Sequence, residues 1–319
     1  MRSTHLTDTS STASKAKKLM SKYGIYFALL GLFLIMAFAT PSFLKPANLF
    51  NVVRQSATIG IVAVGMTFVI ITGGIDLSVG SIVAAASVVA TSYATNNNIS
   101  FPLWVAILLG ILVGAAFGAF NGFFVAKMKV APFIVTLATL TIARGFALIY
   151  TSGSAVFNLT SEFNEIGKNA TPIIIFVCVI LVGVFLLNFT KFGRHIFAVG
   201  GNEQTAIVSG VNVIWTKFSA YIIAGVCAAI AAIVLSARTE TGQPASADGY
   251  ELDAIAAVVI GGSSLSGGVG SVIGTVVGML IIGIVTNGLE LMNVSSYMQK
   301  IVKGAIILVA VLVDRKRAA

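Results

Sequence analysis

The acidic residue Asp76 stands between two apolar runs that adjoin it without a polar loop. An ionisable side chain at membrane depth costs about 2.5 kcal/mol or more, so such a residue indicates a functional role. Two interpretations stay open, and they are compatible with each other. The carboxylate could line a pathway and hydrogen-bond a hydroxylated solute, or Asp76 or Ser78 could cap the helix that follows Gly73 and Gly74.

The glycine-rich stretch Gly261–Gly270 raises the question of a phosphate-binding loop. Such a loop needs a lysine followed by serine or threonine after its last glycine, to hold the phosphates and the magnesium ion. No segment offers that arrangement, and His5 and His195 stand apart from other metal-ligand residues. The chain is therefore predicted to bind no nucleotide, cofactor or metal of its own. Any ATP and magnesium that it depends on would be bound by another polypeptide.

Two stretches of the sequence resemble each other, Gly73–Ser81 and Gly261–Ser271. Each stretch interrupts an apolar run at a similar place within its half of the chain. Paired glycine breaks in two halves point to a transport site, because broken membrane helices expose backbone groups only where they line a cavity. We predict a structural repeat, with chance similarity of glycine- and serine-rich sequences as the alternative. The residues predicted to line the pathway are Asp76, Ser78, Gly73, Gly74, Gly261 and Gly262.

A polar loop around residues 198–213 carries the signals of a short capped helix. Asn202 is a good N-cap, Glu203 sits in the first turn where the helix dipole favours an anion, and Gly210 is a plausible end. The helix would place Ala206, Ile207 and Gly210 on one face. Such a helix suits docking on a partner, whereas a helix lying on lipid would prefer larger apolar residues and more lysine or arginine.

Composition sets the environment in which these residues work. The chain has 319 residues, of which 57% are apolar and 10% charged, with a mean hydropathy of +0.99. A typical soluble domain carries about 25% charged residues, so an ordinary soluble enzyme is excluded, as is a disordered chain. The formal net charge of +9 is assigned to cytoplasmic loops by the positive-inside rule rather than to nucleic-acid binding.

The apolar runs predict an all-α membrane protein of about ten transmembrane helices, arranged as two halves with glycine-broken helices. Basic residues before the first run and after the last place both termini in the cytoplasm. Residues 1–22 and 314–319 are predicted tails, and 23–313 the membrane domain, with a cytoplasmic loop at 191–213. The first run is interpreted as a retained span, because it is long for a signal sequence. The predicted spans are Tyr23–Thr40, Ala57–Thr72, Ile82–Ala94, Leu103–Phe124, Pro132–Tyr150, Pro172–Phe189, Ile214–Ala237, Leu252–Ile260, Gly270–Leu289 and Tyr297–Val313.

Glycines that recur every fourth residue predict close helix packing. They form two ladders, one at Gly110, Gly114, Gly118 and Gly122 and one at Gly270, Gly274 and Gly278. Glycines on one helix face let neighbouring backbones approach. Arg144, inside the fifth run, is predicted either to extend to the interface or to pair with Asp76.

Five segments together resemble one family: Gly73–Gly80, Gly200–Asn212, Gly249–Val259, Val294–Tyr297 and Ala310–Asp314. From about residue 23 onward, the chain is similar to the permease subunits of bacterial monosaccharide ABC importers, and most to those for ribose. The motifs are specific for the family and much less so for the sugar.

The resemblance implies a pathway formed by two permease subunits, usually identical, in the inner membrane. A cytoplasmic ATP-binding protein would supply energy, and a periplasmic or lipid-anchored sugar-binding protein would deliver ribose or a related monosaccharide. The loop at 200–211 corresponds to the family's coupling helix. The residues that it assigns to coupling with the ATPase are Gly201, Asn202, Glu203, Ala206 and Gly210.

The main rival is a secondary transporter of a small polar solute, driven by an ion gradient. It would need an embedded ionisable residue, for which Asp76 is the strong candidate, and it would leave the capped cytoplasmic helix unexplained. A channel-like or scaffold protein would need neither a docking helix nor two matching helix breaks.

Overall fold

The computed structural model describes residues 9–96 and 101–318, with side chains described between Gly24 and Leu312. Within those ranges the regular structure is helical, apart from two isolated β-bridges, so the all-α fold class is confirmed. Residues 1–8 and 319 of the predicted tails lie outside the described residues. The α-helices are α1 (Thr9–Ala39), α2 (Pro46–Ile71), α3 (Val79–Tyr93), α4 (Leu103–Gly122), α5 (Pro132–Tyr150), α6 (Ser161–Glu165), α7 (Thr171–Phe189), α8 (Lys191–Gly201), α9 (Glu203–Val208), α10 (Val213–Thr239), α11 (Tyr250–Ile260), α12 (Val272–Leu291) and α13 (Ser296–Ala318).

Among the described residues, six helices are long and apolar enough to cross a membrane. They are α2, α4 with the π-helical turn Phe123–Lys127 that continues it, α5, α7, α10 and α12. Two of the other predicted spans are short: α3 and α11 have 15 and 11 residues. At about 1.5 Å per residue they cover roughly 22 and 16 Å, less than the roughly 30 Å of a bilayer core. The structure supports a multi-pass membrane protein, and the number of ten spans stays a prediction.

Two segments predicted as loops are helical. α2 begins at Pro46 rather than at Ala57, because proline is well suited to the first turn of a helix and starts it despite the polar residues that follow. The predicted loop at 191–213 contains α8 in addition to the short capped helix. The Thr190 hydroxyl caps α8 by accepting a hydrogen bond from the Gly193 N–H at 3.2 Å.

The centre of the helix bundle is α2. Every residue from Gly60 to Ile71 is buried, which fits a helix that is apolar on all sides. It packs against α7, α10, α11 and α12. Hydroxyl pairs join neighbouring helices inside this core, such as Thr67 with Thr275 at 2.8 Å and Ser87 with Ser236 at 2.6 Å.

Both glycine ladders make close helix contacts, except that Gly270 precedes α12 and packs against the Ile71 side chain. A Cβ atom added at Gly114 or Gly118 would overlap backbone carbonyl oxygens of α10. One added at Gly274 or Gly278 would overlap backbone oxygens at or next to α11. Backbones therefore touch at these crossings, as small residues allow in membrane proteins.

Arg144 does not pair with Asp76, so that predicted pairing is wrong. Its guanidinium donates hydrogen bonds to the carbonyl oxygens of Pro244 and Ser246, both at 2.8 Å. The residues that accept these bonds belong to the non-helical segment between α10 and α11, and no local pattern in the sequence predicts that this segment lies beside α5.

Candidate functional site

Three non-adjacent segments meet beside α9. They are the last residue of α2, Ile71; the end of α8 at Gly200; and Gly267 and Gly268 in the loop between α11 and α12. The Gly268 N–H donates to the Ile71 carbonyl at 2.9 Å. A Cβ atom on Gly200 would overlap that same carbonyl oxygen and lie 2.5 Å from the Gly268 nitrogen. We call this backbone contact the glycine joint.

The two predicted helix breaks have the same backbone geometry. The second residue after each of α2 and α11 is a glycine with positive φ, Gly73 at 78° and Gly262 at 90°. In both, the glycine N–H bonds to the carbonyl three residues earlier, and the next N–H to the carbonyl five residues earlier. This is the Schellman pattern of helix ends. The two similar stretches therefore share the same backbone conformation at this point, but Gly73 corresponds to Gly262 rather than to Gly261.

Asp76 and Ser78 are fully buried within the chain, with 0% of each residue exposed. The Asp76 carboxylate accepts hydrogen bonds from the Ser78 N–H at 2.9 Å and from the Ser78 hydroxyl at 2.5 Å. Ser78 is the N-cap of α3, and its side chain makes no capping bond. Asp76 thus fixes the residue at the start of α3, and neither side chain faces an opening in the single chain.

This pair has two partners that were not predicted from the sequence, Asn121 on α4 and Thr139 on α5. The Asn121 amide donates to the Ser78 hydroxyl at 2.8 Å, and its carbonyl oxygen accepts from the Thr139 hydroxyl at 2.6 Å. Both residues are buried. The sequence does contain a signal for them, because an uncharged polar residue lies within each of two apolar runs. The signal is weak, since such residues also occur in packed helices without any functional role. We call Asp76, Ser78, Asn121 and Thr139 the buried polar network.

Replacing Thr139 with valine is expected to destabilise the protein by about 1–3 kcal/mol, because it leaves the buried Asn121 carbonyl oxygen without a donor. The matched control is Thr141→Val on the same helix. The Thr141 hydroxyl bonds only to the carbonyl of Ala138, one turn earlier, and the residue is exposed. The free energy of unfolding in detergent micelles measures both variants, and equal stability of the two would contradict the network.

The predicted caps of the short helix are confirmed. The Asn202 side chain accepts a hydrogen bond from the Thr205 N–H at 2.9 Å, and Gly210 has a φ of 80°. The Glu203 carboxylate pairs with the ammonium group of Lys217 on α10 at 2.5 Å, so Glu203 already has a partner in its own chain.

The face that α9 presents outward differs from the predicted one. Ala206 is buried and packs with Val199 and Val213, so its side chain holds α9 against this chain. Ile207 and Val208 are exposed, Val208 by 89%. The predicted face was wrong because α9, which has only 6 residues, packs its smallest side chain, that of Ala206, against the rest of the chain. We call Ile207 and Val208 the α9 apolar surface.

Among the described residues, no group of three or more His, Cys, Asp or Glu side chains could hold a metal ion. The residues brought together at this end of the bundle are instead glycines, hydroxyls and amides. Backbone contacts join α9 through α8 to the end of α2 and to the loop between α11 and α12.

Comparison with known proteins identifies relatives over most of the chain. A sequence profile of the family described as branched-chain amino acid transport system permease components matches residues 48–311. The ribose import permease protein of Bacillus subtilis (strain 168) is 45% identical, over 94% of this chain and 94% of its own length. That of Escherichia coli (strain K12) is 44% identical, over 91% and 92%. The L-arabinose ABC transporter permease protein of Azospirillum brasilense is 36% identical, over 94% and 89%. No solved structure matches the chain.

Proposed function

The chain belongs to the permease-component family of these transport systems, and we propose that it is the membrane subunit of an ATP-driven sugar importer that carries ribose. It is a multi-pass protein of the bacterial cytoplasmic membrane and not itself an enzyme. The observation that carries this conclusion is the identity of 42–45% to ribose import permeases along nearly the whole chain.

The choice of sugar rests on relative similarity. The family description names branched-chain amino acids, but the relatives at 36–45% identity are named for ribose and arabinose. The ribose proteins share more identity with this chain than the arabinose proteins, at 36–39%, so ribose is the proposed substrate. An ion-gradient mechanism has no support among these relatives.

The proposed partner at α9 is a cytoplasmic ATP-binding protein, which would hold ATP and magnesium. The α9 apolar surface supports this, because it is exposed on a helix with caps at both ends. α9 itself contains no lysine or arginine, so it lacks the basic residues of a helix that lies on lipid. Asn202, Glu203, Ala206 and Gly210 would shape and position α9 rather than form the contact themselves, whereas Gly201 has open space where a Cβ atom would lie.

The glycine joint and the buried polar network suggest how coupling proceeds. A displacement of α9 would pass through α8 to the end of α2 and to the loop after α11. Asp76 and Ser78 would carry it to the start of α3, and Asn121 and Thr139 to α4 and α5. The pathway helices would then bend at the glycines that follow α2 and α11, which are Gly73, Gly74, Gly261 and Gly262. ATP binding would favour one of two states by contacting it better than the other.

The α9 end of the bundle is proposed to be cytoplasmic, because Lys191, Arg194 and Lys217 lie there. With ten spans in two halves, both termini would lie on that side. A second, identical subunit would complete the pathway. Gly145 on α5 and Gly304 on α13 support this, since no described atom lies within 4 Å of a Cβ added at either position. A sugar-binding protein would dock on the opposite side.

The proposal is tested in proteoliposomes that contain this chain with its ATPase. Radiolabelled ribose uptake should require ATP at the ATPase side and sugar-binding protein on the other side. It should persist when ionophores remove all ion gradients. Competition by unlabelled ribose, arabinose and an amino acid such as leucine then identifies the substrate. Uptake without any ATPase, or uptake abolished by ionophores alone, would overturn the proposal.

A further inference from the structure

Residues 243–253 follow α10, run into the helix bundle and include the first turn of α11. We call them the inserted segment. Just before the segment, Gly242 pairs with Val156 through two backbone hydrogen bonds of 2.9 Å and packs against Thr91 near the end of α3. A few residues later, the Ala247 carbonyl oxygen lies 2.5 Å from where a Cβ on Gly80 would be, near the start of α3. The chain thus descends along α3 by about three helical turns.

Most of this descent is not helical, since α11 begins only at Tyr250. Irregular backbone at membrane depth is tolerated only where protein buries it or where it lines a water-filled cavity. Arg144 supplies part of the required burial through its bonds to the carbonyls of Pro244 and Ser246. Arg144 lies six residues before the end of α5, about 9 Å inside that end.

Two ion pairs join the inserted segment to α13, and they differ in exposure. Lys303 and Asp253 are 2.8 Å apart, with only 26% and 9% of their side chains exposed. Lys300 and Asp248 are 3.1 Å apart, with 73% and 74% exposed. One pair is therefore enclosed between α11 and α13, and the other is open to the surroundings of the single chain.

The exposed pair cannot face hydrocarbon, because an unburied charge in the membrane requires water or a polar partner. A lysine can extend its ammonium group to the membrane surface, but the short side chain of Asp248 cannot follow. The Arg144 guanidinium lies near enough to Asp248 and Glu251 to interact with both. This charged surface lies between α5 and α13, which carry the uncovered glycines Gly145 and Gly304.

We infer that the inserted segment forms a wall of the aqueous pathway, with Asp248 and Lys300 lining it and Arg144 and Lys303 holding the segment in place. The inference rests on the proposed function, since α5 and α13 border a pathway only in the paired subunit. The wall offers a carboxylate and an ammonium group to the solute, a combination suited to the hydroxyl groups of a polyhydroxylated sugar. It places a solute contact at this surface in addition to Asp76, for which the sequence left pathway lining and helix capping both open.

The test uses cysteine modification in the assembled transporter, with the native cysteines removed as Cys178→Ser and Cys227→Ala. Asp248→Cys and Lys300→Cys should react with a charged, membrane-impermeant methanethiosulfonate reagent. Modification should reduce ribose uptake at least fivefold, and the reaction rate should differ at least threefold between nucleotide-free and vanadate-trapped complexes. Glu240→Cys, in the loop after α10, is the accessible control whose rate should be equal in both states. Phe185→Cys, exposed on α7, is the lipid-facing control that should not react.

Each other outcome is informative. Absence of reaction at both positions would show that water does not reach the pair, and equal rates in the two states together with normal uptake would place it at the membrane surface; either result overturns the wall. Failure of the proposed function appears separately, as absence of ATP-dependent ribose uptake in the cysteine-free protein before modification. Reaction at Asp248→Cys that is slowed by a sugar other than ribose would retain the wall and correct the substrate.

Discussion

Replacing Gly200 with alanine is expected to abolish ribose uptake, while alanine at the neighbouring Gly201 leaves uptake close to that of the wild type. A methyl group at Gly200 has no free space, since it would overlap the Ile71 carbonyl oxygen and crowd the Gly268 nitrogen. These are backbone atoms that cannot move aside as a flexible side chain does. Overpacking of this kind costs about 1–3 kcal/mol, and here it also separates the segments that would transmit motion.

Gly201 is a matched control because a Cβ atom there meets nothing within 4 Å. Both variants lose one glycine at the end of the same helix, so differences in helix propensity cancel. Uptake in proteoliposomes and the thermal stability of the detergent-solubilised protein should be measured together. If Gly200→Ala transports at the wild-type rate, or if Gly201→Ala is equally impaired, the glycine joint has no role in coupling.

Replacing Val208 with aspartate is expected to weaken association with the ATPase by at least about 30-fold, or about 2 kcal/mol, and to stop ATP-driven uptake. The Val208 side chain is 89% exposed, so the substitution leaves the fold of this chain undisturbed. In the proposed complex the carboxylate would be buried in an apolar contact without a partner, which carries a large desolvation penalty.

Val208→Thr is the control for this prediction, since it keeps the shape of the side chain and adds no charge. It should retain most of the association and the uptake. Co-purification with the ATPase and the basal ATP hydrolysis of the complex separate a docking defect from a blocked pathway. Wild-type association of Val208→Asp would show that the ATPase binds elsewhere.

Features that depend on neighbouring residues could be predicted from the sequence. The cap at Asn202, the end at Gly210, the limits of α5 and the two glycine ladders all follow from spacing within one or two helical turns. The resemblance identified the family for the same reason, because its motifs are local. Local spacing also indicated that the chain breaks after α2 and after α11.

Features that depend on distant residues could not be predicted. Asp76 is buried because Asn121 and Thr139, 45 and more residues away, arrive on two other helices. Asp248 and Lys300 come together across 52 residues, and the inserted segment looked like an ordinary polar loop. Spacing along one helix cannot reveal contacts between distant helices, so the sequence indicated a charged residue at membrane depth but not the partners that bury it.

In the proposed coupling, the glycine joint would be insensitive to several changes in solution conditions. It consists of backbone carbonyls, N–H groups and glycine Cα atoms, and Ile71, Gly200 and Gly268 contribute no ionisable or oxidisable side chain to it. This contact therefore does not change with the pH, the ionic strength or the redox potential of the cytoplasm. Acidification or oxidation of the cytoplasm would therefore leave this connection unchanged, and any loss of uptake under those conditions would arise elsewhere in the proposed importer.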